Sequence, residues 1–138
     1  MTVRLNPYIS FRSGAREAGD FYQSVFGGTI ERSTYGEYQM GDPSESDKIM
    51  HSMLTADNGL VLMVSDVPDA MEFSPDRNGT ISLSGDDDTT LQGYWDKLTE
   101  GGTVTLPLEK SPWGDSFGQV TDRFGINWMV NITGAANR

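Results

Sequence analysis

The chain carries the same design twice. Phe21-Tyr22-Gln23-Ser24-Val25-Phe26-Gly27-Gly28-Thr29-Ile30 is matched by Trp95-Asp96-Lys97-Leu98-Thr99-Glu100-Gly101-Gly102-Thr103-Val104, so that Thr29 falls on Thr103 at an offset of 74. The same offset sets Tyr8-Ile9-Ser10-Phe11 on Ser82-Leu83-Ser84-Gly85, and strand, helix and following strand recur without a gap. A repeat of this size reports architecture. Because each copy must bury an apolar face, the seam between the two is where a ligand cavity is expected.

The first copy reads strand, helix, strand, strand, strand. Pro7 to Phe11 is a strand, and Ser13 is placed to cap a helix over Ala15 to Phe26. In that helix Ala18, Tyr22 and Val25 recur at helical spacing, Phe21 and Phe26 widen the stripe, and Gly27-Gly28 stops it. Thr29 to Tyr35 is rich in strand formers, Lys48 to Thr55 alternates, and Leu60 to Val64 is apolar, with Asp57-Asn58-Gly59 as a tight hairpin turn. The second copy gives a strand at Thr80 to Ser84 and a helix at Thr89 to Thr99 with Leu91, Trp95 and Leu98 inward. Strands follow at Thr103 to Leu106, Ser116 to Thr121 and Ile126 to Ile132, the last two joined by Asp122-Arg123-Phe124-Gly125. The final hairpins align Gly59 on Gly125 at the shorter offset of 66, which places an excursion in the first copy at Tyr38 to Asp47. The expected architecture is α+β: one domain over 1–138, with module one at 1–66, a linker at 67–78 and module two at 79–138.

A chain of 138 residues buries roughly two-thirds of its unfolded surface, enough for a core without staples. It has no cysteine, which removes disulfides, thiolate ligands and a thiol nucleophile and suits a reducing compartment. The N-terminus reaches Pro7 without the apolar run of a signal peptide, and no segment approaches membrane-spanning length, so a soluble cytoplasmic protein is expected. In that setting the glycosylation patterns at Asn78-Gly79-Thr80 and Asn131-Ile132-Thr133 are coincidental. A net charge of −10 repels phosphate backbones and anionic lipid, so neither nucleic acid nor membrane is an expected partner. There is no Gly-x-Ser-x-Gly, Gly-Lys-Ser/Thr or Gly-x-Gly-x-x-Gly, which sets aside serine hydrolases, phosphate loops and dinucleotide sites.

A twice-repeated strand-helix-three-strand module of this length resembles the vicinal oxygen chelate superfamily of glyoxalase I, extradiol dioxygenases and bleomycin-resistance proteins. Asn6-Pro7-Tyr8, Arg16-Glu17-Ala18, Phe21-Tyr22, Val25-Phe26-Gly27-Gly28, Lys48-Ile49-Met50-His51 and Val120-Thr121-Asp122-Arg123-Phe124-Gly125 with Trp128-Met129 resemble its PhnB-like branch, which carries an old label as 3-demethylubiquinone-9 3-methyltransferase-like. The resemblance implies two tandem βαβββ modules whose strands form a curled mixed sheet around a cleft, often in a homodimer. It also implies a divalent ion held by His, Glu or Gln from the first and last strands of each module. Carried onto this chain, those positions are Asn6 or Pro7, Thr80, Met63 or a neighbour, and Met129. Hard divalent ions need several oxygen or imidazole donors. These residues supply no such set, and a metal-free site is expected.

His51 is the only histidine, so an imidazole base must be this one. Alternation puts it on a face with Ile49 and Met53, either as a packed histidine with a hydrogen-bond partner or as a catalytic or ligand-contacting group. Asp86-Asp87-Asp88 sits where the second helix begins and reads as capping, while Glu17 and Asp20 read as a solvated face. Tyr35, Tyr38, His51, Met63, Trp113, Phe117, Trp128 and Met129 are the expected ligand contacts, supported by Met40 and Met50, although such residues also fill cores. The reading that follows is a metal-free small-molecule-binding protein. Its alternatives are a metal-dependent lyase, isomerase or dioxygenase, a metal-free enzyme using His51 or a carboxylate, and a duplicated scaffold that has lost its ligand.

Overall fold

The computed structural model describes residues 3–134. The chain forms two compact units, with the boundary between Asn78 and Gly79, and each carries one helix and one four-stranded sheet. No helix is long and apolar enough to cross a membrane.

In the first unit, β1 (Tyr8–Phe11), α1 (Ala15–Phe26), β2 (Thr29–Thr34), β3 (Ile49–Thr55) and β4 (Val61–Asp66) follow the βαβββ order. The sheet order is β1-β4-β3-β2, with β1 parallel to β4 and the other pairs antiparallel. α1 buries Ala15, Ala18, Tyr22, Val25 and Phe26 on a core that includes Ile9, Phe11, Ile49, Leu54, Leu62 and Val64. Ser13 does not cap this helix. The residue before it is Gly14 at φ 95°, with no side-chain cap of its own, and the orphan Ala15 N–H donates instead to Oδ1 of the buried Asp66 at the end of β4, at 3.0 Å. The excursion between β2 and β3 is built of two 3-10 turns, Gly36–Tyr38 and Pro43–Glu45.

The second unit repeats the plan with β5 (Thr80–Gly85), α2 (Asp88–Leu98), β6 (Thr103–Lys110), β7 (Ser116–Thr121) and β8 (Asn127–Ile132) in sheet order β5-β8-β7-β6. Asp87 caps α2 through a hydrogen bond from Thr90 N–H at 3.1 Å, as the acidic run implied. Leu91, Tyr94, Trp95 and Leu98 turn inward. β6 is longer than its sequence suggested and shifts register against β7 twice, between Val104 and Leu106 and between Leu106 and Glu109. One reason is Gly118 on β7, where a Cβ would lie 2.8 Å from Leu108 Cα, so the edge strand lies against bare backbone. Each of the two tandem βαβββ modules thus carries its own four-stranded mixed sheet.

Both glycine pairs divide their labour alike. The first glycine follows the helix in the left-handed region, at φ 74° in Gly27 and 72° in Gly101. The second lies against the neighbouring strand. A Cβ on Gly28 would stand 2.0 Å from Thr55 O, and one on Gly102 would stand 2.6 Å from Thr121 O.

Candidate functional site

Directly paired residues in a sheet share a face. In the first unit Tyr8 pairs with Met63, Met63 with Met53, and Met53 with Glu31, while Ser33 pairs with His51. These side chains lie opposite the core residues Ile9, Leu54 and Val64, on the face that α1 does not cover. Tyr8 is 49% exposed, and its ring meets the His51 imidazole edge-on, with centroids 6.0 Å apart and planes at 81°. Two thioethers, a phenol and an imidazole thus form an apolar and aromatic surface with a donor or acceptor at its edge, suited to a planar or weakly polar ligand.

His51 does not share its face with Ile49 as simple alternation implied. The β2-β3 ladder shifts between Ser33 and Thr34, so that Ser33 pairs with His51 but Thr34 with Ile49. That irregularity absorbs Met50, sends Ile49 into the core at 1% exposure, and leaves His51 with Met53 on the open face.

The other expected contacts separate. Tyr35 is held by its hydroxyl, which donates to Asp66 O at 2.9 Å; Tyr38 and Met40 are exposed on the excursion, on either side of Gln39 in the left-handed region. In the second unit Phe117 pairs with Asn131, and Met129 with Ser82 and Gln119. These residues share the face away from α2. Trp128 cannot join them, because adjacent strand residues point to opposite faces. It pairs with Ile81 and Val120, is 2% exposed, and donates from Nε1 to Asp122 Oδ2 at 2.8 Å. Trp113 is 60% exposed in a tight β6-β7 loop, where Ser111 N–H and Oγ both donate to Asp115 O, at 2.6 and 2.7 Å. Sequence reasoning did not bring Tyr8 to this face, although its alternation with Ile9 was available as a signal.

The register also defines what each module offers a metal. The first and last strands meet at Tyr8 with Met63, and at Ser82 with Met129. A phenol and a thioether, or a hydroxyl and a thioether, are poor company for a hard divalent ion. Among the described residues no group of three or more His, Cys, Asp or Glu could hold one.

Tyr35 ties the excursion to β4, and burial, reinforced by Tyr8 and Asp66, raises its phenol above the ordinary 10.0. A raised folded-state value favours the protonated form. The contribution is therefore complete below the unfolded value near 10.0 and is lost as pH rises through the folded one. Tyr35→Phe is expected to lower stability at neutral pH and to flatten the alkaline fall in stability as pH rises past 10.0, as read by urea melts at each pH.

Residues 4–130 match the Glyoxalase/Bleomycin resistance protein/Dioxygenase superfamily. The crystal structure of protein PA1353 from Pseudomonas aeruginosa resembles this chain with a TM-score of 0.84 at 34% identity, over 96% of this chain and 98% of that one. The PhnB protein from Bacillus cereus shares the fold at a TM-score of 0.70 and 23% identity, over 95% of this chain and 100% of its own. Protein YjdN of Escherichia coli is 25% identical over 93% of this chain and 94% of itself.

Proposed function

Because the chain belongs to the Glyoxalase/Bleomycin resistance protein/Dioxygenase superfamily, we propose that it binds a small organic molecule on the open face of its first sheet, in the cytoplasm and without a divalent ion. The observation that carries this reading is the Tyr8-His51 ring contact beside the paired Met53 and Met63. The rings and thioethers supply contact area, and the imidazole, with Ser33 opposite it, supplies polar direction. On the corresponding face of the second sheet, Phe117 and Met129 are each paired with polar residues, Asn131 for the one and Gln119 and Ser82 for the other.

A thermal-shift screen over aromatic amines, quinones and thiol conjugates should find compounds that raise Tm in proportion to the logarithm of their concentration. For such a compound, Tyr8→Ala and Met63→Ala are expected to weaken binding about tenfold each by titration calorimetry, roughly 1.4 kcal/mol. Chelator treatment should leave both Tm and affinity unchanged, and adding zinc or manganese should not raise Tm. A binder indifferent to both substitutions would sink this surface as the site, and a tight stoichiometric metal would sink the metal-free reading. The ring contact also favours a second reading, acid–base catalysis by His51. That reading requires a compound that is turned over by the wild type, while His51→Ala binds it but does not convert it.

A further inference from the structure

A carboxylate stands on the open face of the first sheet. Glu31 ends the rung that runs Tyr8, Met63, Met53, Glu31 across β1, β4, β3 and β2, and it is exposed. No lysine or arginine of the four strands shares that face with it. Its chain neighbour Arg32 turns the other way, opposite the buried Ser52, where its guanidinium meets Asp20 of α1 and Arg16 O. Two further cations of the unit are engaged elsewhere: Arg12 donates to Val67 O and Pro68 O, and Lys48 pairs with Glu45 at 2.7 Å. Among the described residues Glu31 forms no ion pair.

The repeat supplies an internal comparison. The same rung of the second sheet reads Ser82, Met129, Gln119, Leu106. One thioether is common to both rungs, but the phenol, the second thioether and the carboxylate belong to the first alone. The strand order is the same in both sheets, so the module does not need these three groups in order to form. An uncompensated carboxylate in line with two thioethers and a ring suits a cation with an apolar body, in a chain whose net charge of −10 already favours cations. Neighbouring strands lie about 4.8 Å apart, so three steps separate Tyr8 from Glu31 by about 14 Å at the backbone. A molecule that meets both then needs about 10 Å between its flat end and its charge, once contact distances are allowed for.

We propose that the ligand of this face is an organic monocation with a flat apolar end, its charge set against Glu31 and its flat end against Tyr8, and that Glu31 selects it. This rests on the open face of the first sheet being the binding surface.

Three probes that share one body test it by titration calorimetry: the trimethyl(6-phenylhexyl)ammonium ion, 6-phenylhexan-1-ol and 7-phenylheptanoate. The wild type should bind the ammonium ion about fivefold tighter than the alcohol, as an exposed ion pair allows, and the carboxylate more weakly than either. Added salt should weaken the ammonium ion and leave the alcohol unchanged. Glu31→Gln should bring the ammonium ion down to the alcohol's affinity without moving the alcohol, and Glu31→Lys should reverse the order of the two charged probes. Glu17→Gln removes the same charge from the exposed side of α1 and should keep the wild-type preference. Equal binding of the three probes, or a preference that survives Glu31→Gln or is lost in Glu17→Gln, would overturn the selection by Glu31 while leaving the surface as a site. Binding of none of them would remove the surface and the cation together.

Discussion

Replacing Asp122 by alanine is expected to cost about 4 kcal/mol, among the largest effects of any single side chain here, because three donors lose one buried acceptor. Asp122 is 4% exposed. Its Oδ1 accepts from Phe124 N–H at 2.8 Å and Ile126 N–H at 3.1 Å, and its Oδ2 accepts from the Trp128 indole at 2.8 Å. The hairpin it serves has a twin. Ala56 N–H donates to Leu60 O at 2.8 Å where Asp122 N–H donates to Ile126 O at 2.8 Å, and Gly59 and Gly125 close the two turns alike. The first unit thus makes the turn with alanine, while in the second the carboxylate also fixes the largest fully buried side chain. Urea unfolding followed by tryptophan fluorescence should show about half the alanine cost for Asp122→Asn, which keeps Oδ1 but sets an amide N–H₂ against the indole N–H, and about 1–2 kcal/mol for Trp128→Phe. A loss below about 1 kcal/mol for Asp122→Ala would remove the carboxylate from this role.

Gly28→Ala is expected to be still more damaging, at about 5 kcal/mol or outright failure of the first unit to fold. The residue sits at φ 88°, and the added Cβ would meet Thr55 O at 2.0 Å and Ala56 Cα at 2.6 Å. Backbone cannot step aside as a flexible side chain can, so β2 would have to part from β3. Gly59 provides the control. It also has a positive φ, 92°, but nothing lies within 4 Å of its missing Cβ, so Gly59→Ala should cost only about 1 kcal/mol for the left-handed conformation. Circular dichroism and urea melts of the two variants separate conformational strain from collision. Equal costs would mean that the close approach is not what requires Gly28.

The helices and the repeat could be read from the chain because their signals are local. Ala18, Tyr22 and Val25 lie within two turns of helix, and the glycine pairs announce both helix ends. The candidate site was only half readable. His51 and Met63 do reach one face, but Tyr8 was overlooked and Trp128 misplaced against its neighbour Met129. The helix cap was assigned to nearby Ser13, whereas the structure supplies Asp66 from 51 residues away.

What the sequence determined by itself was the order of elements and the apolar stripes, since both depend on residue type and short spacing. Tertiary structure decided which side chains meet. The shift between Ser33 and Thr34 turns Ile49 inward and His51 outward. The parallel register of β1 on β4 sets Tyr8 beside Met63, and Asp66 bridges Ala15 N–H and Ile49 N–H. Strand side chains alternate with a period of two, so one slipped residue reverses every side chain beyond it. That slip is settled by hydrogen bonds between segments far apart in the chain, which no local pattern contains.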